Sequence, residues 1–362
     1  MLQYIDQFRN PELVELIINK IDRECPRQNL KFMEVCGGHT IAIFKYGIQN
    51  LIPNSIQLIS GPGCPVCVTA IEFIDQALSL AHLPEVIITT FGDMVRVPGS
   101  KTSLQQERSS GIDVRICYSV MDALKIAQEN PQKEVVFLGI GFETTAPTVA
   151  AAIKTASDQR IRNFSVLSAH KTMPNAMRAL LDSGEVGLNG FICPGHVSAI
   201  TGIHIYDFIA EKYRIPCVVS GFEPLDILET ILMLIRLVNK KQGKVANQYT
   251  RSVKENGNPL ACAMMLEVFE ESDSNWRGLG IIPRSGLQIK NKYRDFDAQN
   301  KFKITREPAI EYPDCICGEI LRGVKNPIDC ALFGKVCRPE DPKGACMVSS
   351  EGTCVSWFKY QK

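Results

Sequence analysis

Apolar and polar positions along this chain follow two alternating rhythms. Short apolar runs recur at 31–35, 56–59, 86–90, 114–117, 135–140, 164–168, 190–193 and 217–220. Runs of that length are what buried strands need. Between several of them the period lengthens. Over 68–82, Ile71, Ile74 and Leu78 fall on one helical face, and 120–128 repeats the pattern. Near the start, Asn10 suits an N-cap and Pro11 the first helical position. Leu13, Leu16, Ile17 and Ile21 then form one stripe. The segment 225–239 reads as a long, strongly apolar helix. Strands alternating with helices imply parallel sheets covered by helices. The polar stretch 240–258 reads as a boundary.

The motifs suggest an internal repeat. Lys31-Phe32-Met33-Glu34-Val35-Cys36-Gly37-Gly38-His39-Thr40 is a strand, a glycine turn and a helix start. Val135 to Thr145, with Gly141-Phe142-Glu143-Thr144-Thr145, has the same design. Pro62-Gly63-Cys64-Pro65-Val66-Cys67 resembles Pro194-Gly195-His196-Val197, and each is followed by a helix and a strand. The expectation is two similar α/β domains. Functional loops of open parallel sheets lie at the C-terminal strand ends. The loops at 36–39, 61–67, 141–145 and 194–196 are therefore expected to converge in a cleft.

Composition narrows the function. The chain has 362 residues, 45% hydrophobic and 22% charged, which is ordinary for globular domains. Lys plus Arg is 40 against 39 Asp plus Glu. Such a balance carries no footprint for nucleic acid or an anionic membrane. The segments 48–71 and 186–206 are uncharged, but their prolines, glycines and histidines argue against membrane spans. The first residues show no signal-peptide pattern, so the expected location is cytoplasmic. There, 14 cysteines point to metal or redox chemistry before structural disulfides. Cys117, Cys193, Cys217 and Cys262 lie in or beside apolar runs and read as packing, and Cys25 has no motif.

Cys64-Pro65-Val66-Cys67 is a C-x-x-C that follows a strand and starts a helix. A helix N-terminus is expected to acidify such a thiol, and the pair can form and exchange a disulfide. The rival reading is zinc, with Cys36-x-x-His39 completing four ligands. Cys36 heads a glycine turn and reads as a soft metal ligand or nucleophile. Glu143 and Glu223 each put a carboxylate after a strand, where complementing a helix dipole is an equal explanation. His196 occupies the repeat position of the C-x-x-C and is a candidate acid/base or orienting group. His82, His170 and His204 read as ordinary. The tail carries Cys315-x-Cys317-x12-Cys330-x6-Cys337-x8-Cys346-x7-Cys354. That spacing misses the paired C-x2-C knuckles of a zinc ribbon and suits a [4Fe–4S] cluster better. Six thiols for four irons leave two spare.

These motifs resemble the HypD family of [NiFe] hydrogenase maturation proteins. Phe32 to Thr40, Gly61 to Cys67, Gly141 to Thr145, Cys193-Pro194-Gly195-His196-Val197 and Met347 to Gly352 carry the resemblance, in order along nearly the whole chain. The resemblance implies two α/β domains and a smaller iron–sulfur domain. On this chain they would be 27–118, 119–240, and 1–26 with 241–362. It also implies a scaffold, formed with the small chaperone HypC, on which one iron acquires two cyanides and a carbon monoxide. Cyanide would come from HypE, with HypF upstream, and the product would pass to the hydrogenase large subunit. Cys36 would hold that iron, Cys64 and Cys67 would be the redox pair, and His196 would lie in the same cleft. The cluster would fall on Cys317, Cys330, Cys337 and Cys354, with Cys315 able to replace Cys317 and Cys346 extra. The competing classes are a cluster-linked thiol–disulfide oxidoreductase acting on protein disulfides, and a zinc scaffold.

Overall fold

The computed structural model describes residues 6–302, 304 and 308–361. Its strands are β1 (Leu30–Glu34), β2 (Ile56–Ser60), β3 (Val86–Thr90), β4 (Val114–Ile116), β5 (Glu134–Gly139), β6 (Phe164–Ser168), β7 (Gly190–Pro194), β8 (Cys217–Ser220), β9 (Val245–Asn247), β10 (Phe269–Trp276) and β11 (Gly280–Ile289). All eight apolar runs are strands. Asn10 caps the first long helix, Pro11–Glu24, by accepting from Glu12 N and Leu13 N.

Two sheets are wholly parallel. The first has the order β2-β1-β7-β8-β9 and the second β4-β3-β5-β6. Numbered by chain order within each sheet, both run 2-1-3-4, and the first adds a fifth strand. The expected two similar α/β units are therefore present, but they are not consecutive halves. The chain builds two strands of the first sheet and crosses to build the whole second sheet. It then returns to finish the first. A boundary at 118/119 would cut the second sheet between β4 and β5. The Pro62 and Pro194 loops both belong to the first sheet, so they are not counterparts across the two units. The topological counterpart of the Cys36 loop is Phe91-Gly92-Asp93, after β3.

Residues 6–24 also depart from expectation. Ile17 and Ile21 pack with Leu225, Ile231 and Leu234 beneath the first sheet, and Arg236 makes a two-bond ion pair with Glu24 at 2.6 and 2.7 Å. This helix belongs to the first unit, not to the tail. The polar stretch after 240 supplies β9, and β10–β11 is an antiparallel hairpin with a bulge between Ser272 and Ser274. None of these three was visible as an apolar run.

Side chains alternate between cores, as the two-residue period of strands requires. Phe32 faces the first unit's outer helices while Met33 faces inward. Val135 and Phe137 face the second unit's outer helices while Val136 and Leu138 face inward. The inward residues of both sheets join Cys317, Ile320, Cys346 and Met347 of the tail in one core. Trp276 is fully buried there and donates to Ser285 Oγ at 2.7 Å. Among the described residues no helix is long and apolar enough to cross a membrane.

The tail is fastened to the hairpin by a glycine pair. Gly278 sits at φ +79°, and a Cβ there would lie 2.2 Å from Gly318 Cα. Gly278→Ala is expected to destabilise the protein by about 2 kcal/mol or more, through overpacking and left-handed strain together. Denaturant midpoints measure this, and an unchanged midpoint would contradict the contact.

Candidate functional site

Cys36 lies two residues beyond β1 and is the N-cap residue of the helix Gly37–Lys45. Its N–H donates to Glu34 Oε2 at 2.9 Å, and Thr40 Oγ1 donates to Glu34 Oε1 at 2.5 Å. Glu34 is fully buried, and burial pushes its carboxyl up to about 8. The Cys36 sulfur lies 3.7 Å from Nδ1 and 4.0 Å from Nε2 of His196, a residue 160 positions away. The topology explains this meeting. β7 pairs directly with β1, so the loops that follow them are neighbours. Burial pushes the Cys36 thiol up, with Glu351 adding to it, and pulls His196 down to about 4. The site is thus a protonated thiol beside a neutral imidazole.

Phe222 lies between two histidines, 4.7 Å from the His39 ring and 5.3 Å from that of His196. His39 Nε2 donates to Gly221 O at 2.9 Å, and its buried Nδ1 has no partner. Burial, then His196, pulls His39 down to about 4. His39 is committed to the β8 loop and not to the C-x-x-C, so the four-ligand zinc set is not assembled. No group of three or more His, Cys, Asp or Glu stands ready for a single metal ion among the described residues.

The Gly61-Pro62-Gly63 turn brings the cysteine pair to Cys36. Gly61 N–H donates to Glu34 O at 2.8 Å, and a Cβ on Gly63 would lie 2.1 Å from Cys36 N. Cys64 then caps the short helix Pro65–Val68, accepting from Cys67 N at 3.2 Å. The two sulfurs are 2.6 Å apart. The expected acidification is not found at Cys67. Its thiol is pushed well up by burial, because a four-residue helix offers too little dipole to offset complete desolvation.

The tail folds over this pair. Cys67 Sγ approaches Ala345 O at 3.9 Å and interacts with the Cys346 thiol, and Cys346 Sγ is 2.7 Å from Cys317 Sγ. A continuous run of thiols therefore extends from Cys64 through Cys67 and Cys346 to Cys317. All six tail cysteines line one small apolar cavity of about 20 Å³ with Ile320, Leu332 and Phe333. The expected four, Cys317, Cys330, Cys337 and Cys354, are together there, and so are Cys315 and Cys346.

A family model described as "HypD: Hydrogenase formation hypA family" matches residues 12–361. The chain belongs to the HypD family. It is 47% identical to a hydrogenase maturation factor HypD of Cupriavidus necator over 99% of this chain and 97% of that one. The corresponding factor of Rhodobacter capsulatus is 46% identical over 99% and 98%, and that of Escherichia coli 44% identical over 100% and 99%. The chain is thus a hydrogenase maturation protein of the HypD family, with the α/β fold and cysteine-rich region described above.

Not every flagged motif reaches the thiols. Glu223 pairs with Arg9, at 2.5 and 2.9 Å, and caps the helix Pro224–Asn239. Glu143 accepts from Met173 N at 3.0 Å and leaves Oε2 buried without a partner. Its loop packs on Trp276 through Phe142, with ring centroids 6.0 Å apart, and not on Cys36. The residues that sequence reasoning missed are Glu34, Glu351 and Phe222. Phe222 and Glu351 touch the site only because distant segments close around Cys36, whereas Glu34 lies two residues before it and turns its carboxyl onto the Cys36 N–H. Cys117, Cys193 and Cys217 are buried as packing residues, while Cys25 and Cys262 are half-buried.

Burial pushes Glu143 up to about 7. A carboxyl raised above its unfolded value stabilises most below about 4.5 and loses that contribution as pH rises to about 7. Glu143→Gln should remove this part of the pH dependence. Urea unfolding of both proteins at pH 5 and pH 8 measures it. A wild-type-like slope in the variant would show that Glu143 is not the group.

Proposed function

We propose that this protein is the scaffold on which the Fe(CN)2CO group of a [NiFe] hydrogenase is assembled, together with a HypC-like chaperone. The observation that carries the reading is the meeting of Cys36, His196 and the Cys64–Cys67 pair at one crevice. Ferrous iron is cargo here. A soft thiolate suits it. Cys36 supplies one thiolate, a HypC cysteine supplies the other, and His196 orients the Cys36 sulfur. Cyanide arrives from HypE as a thiocyanate made with HypF, and the finished group passes to the hydrogenase large subunit. The reading places the protein in the cytoplasm.

Release of cyanide from a thiocyanate requires two electrons. The balanced step is R–SCN plus two thiols giving R–SH, CN⁻, H⁺ and one disulfide. The S–C bond breaks while a Cys64–Cys67 bond forms. Sulfur atoms 2.6 Å apart need little movement to do this.

The donor set of the tail fits a [4Fe–4S] cluster: thiols gathered on one apolar cavity. We assign Cys315, Cys330, Cys337 and Cys354 as its ligands. Cys317 is set aside because its sulfur, 2.7 Å from that of Cys346, is the one on the side that leads to Cys67, while Cys315, whose own thiol neighbour is Cys317, is left to the cluster. When bound, such a cluster supplies one-electron chemistry. Cys346 and Cys317 hold a thiol path between the two centres.

Three outcomes are expected. Infrared spectra of the protein co-produced anaerobically with its HypC partner should show cyanide and CO stretches, lost in Cys36→Ser. Their absence from the native complex would defeat the scaffold reading. In addition, Cys64→Ser should stop hydrogenase maturation while keeping the visible iron–sulfur absorption. That absorption should persist in Cys317→Ser and vanish in Cys315→Ser, and the reverse pattern would restore Cys317 as the ligand.

A further inference from the structure

Arg277 is a buried cation without a counter-charge. It is 5% exposed. Its backbone N–H donates to Val68 O at 3.0 Å and its Nε to Thr69 O at 2.9 Å, while Nη2 is buried with no partner. No carboxylate forms an ion pair with it among the described residues. Elsewhere this fold treats buried charge differently. Asp226 is fully buried and paired to Arg251 at 2.6 Å, and burial pulls Lys171 down to about 7, so that it can shed its proton. A guanidinium cannot shed its proton, and leaving it buried without a counter-charge is unfavourable. Holding Thr69 O would require only a neutral donor. The charge itself implies an anion.

A place for that anion adjoins it. Arg277 lines a cavity of about 420 Å³, within the range of small-molecule sites. Arg96, Lys101 and Lys343 line it too, facing Glu311, Glu340 and Asp341. Asp341 is already bound to Lys343 at 2.7 Å and Asp93 lies 3.7 Å from Arg96, which leaves Arg277 and Lys101 against Glu311 and Glu340, with Arg277 the buried one. Ser100 and Thr102 belong to the same wall, with their hydroxyls donating to Asp75 and Gln106. The walls come from segments near 100, 277, 312 and 340, so the space is recessed and suits a small molecule better than a protein surface.

We propose that this cavity binds a small oxyanion, a molecule bearing carboxylate or phosphate groups, with Arg277 as its buried anchor. The wall also includes Cys315 and Cys317, so the bound anion would lie beside the tail thiols. The proposal stands apart from the scaffold reading and needs neither iron nor a partner to be tested.

The test is calorimetry on the full-length protein, purified anaerobically, titrated with inorganic phosphate and separately with citrate at constant ionic strength in chloride. Saturable binding of at least one anion is expected, weakened about tenfold or more in Arg277→Gln, the loss of roughly one charge-assisted contact. Preference for phosphate or citrate assigns the ligand's class. Should Arg277→Gln fail to fold, Lys101→Glu, a change at an exposed rim residue, decides by weakening binding severalfold. No saturable heat with either anion, or unaltered affinity in the deciding variant, overturns the proposal.

Discussion

One backbone contact sets the geometry of the thiol centre. Gly63 lies so close to Cys36 that no side chain fits between them. A similar approach joins the tail, where a Cβ on Gly37 would lie 2.3 Å from Glu351 Cβ. The loops after β1 and β2 and the tail are clasped at distances only glycine permits. Close packing of this kind leaves no water layer between them. It is also why Cys346 reaches Cys67 across 279 residues of chain.

Exclusion of water then decides the electrostatics. Cys36 and Cys67 are held as thiols, His39 and His196 as neutral rings, and Glu34 is pushed up to about 8. In every case desolvation is the largest cause. The resting crevice is therefore nearly uncharged although it is full of ionisable groups. Such a site does not hold its thiolates ready. On the proposed reading a metal cation would have to displace the protons, which would tie occupancy of Cys36 to arrival of the metal. The helix-dipole argument fails at Cys67 for the same reason. It weighs a partial charge at a short helix and ignores complete burial.

Much of this was legible in the chain. The eight strands and the loops after them could be read from apolar runs and glycine turns, because buried parallel strands carry their own signal. Cys36, Cys64, Cys67 and His196 could be read because each sits in a motif. What could not be read depends on which strand lies beside which. Local pattern gives β1 and β7 equal standing with β2, and nothing near residue 118 reveals that the second unit is already half built. β10 was hidden because Glu270, Glu271 and Asp273 interrupt the apolar alternation on an exposed face, and β11 because Pro283, Arg284 and Gly286 break its run. Arg277 was hidden because a basic residue in sequence carries no mark of burial.

The shared strand order explains where chemistry settled. In a 2-1-3-4 sheet the crevice opens between the first and third strands, where the connections diverge. In the first sheet that crevice lies between β1 and β7 and holds Cys36 and His196. In the second it lies between β3 and β5, and its loops do something else. Asp93, after β3, bonds to Ser349 Oγ at 3.1 Å, and Arg96 donates to Val348 O at 2.7 Å. These bonds hold the Val348–Glu351 turn, the segment that reaches Gly37 and Cys36. The second unit thus uses its crevice as a clasp for the tail that closes the first. Two copies of one topology divide the work: one presents the thiols, and the other holds the lid that keeps them dry.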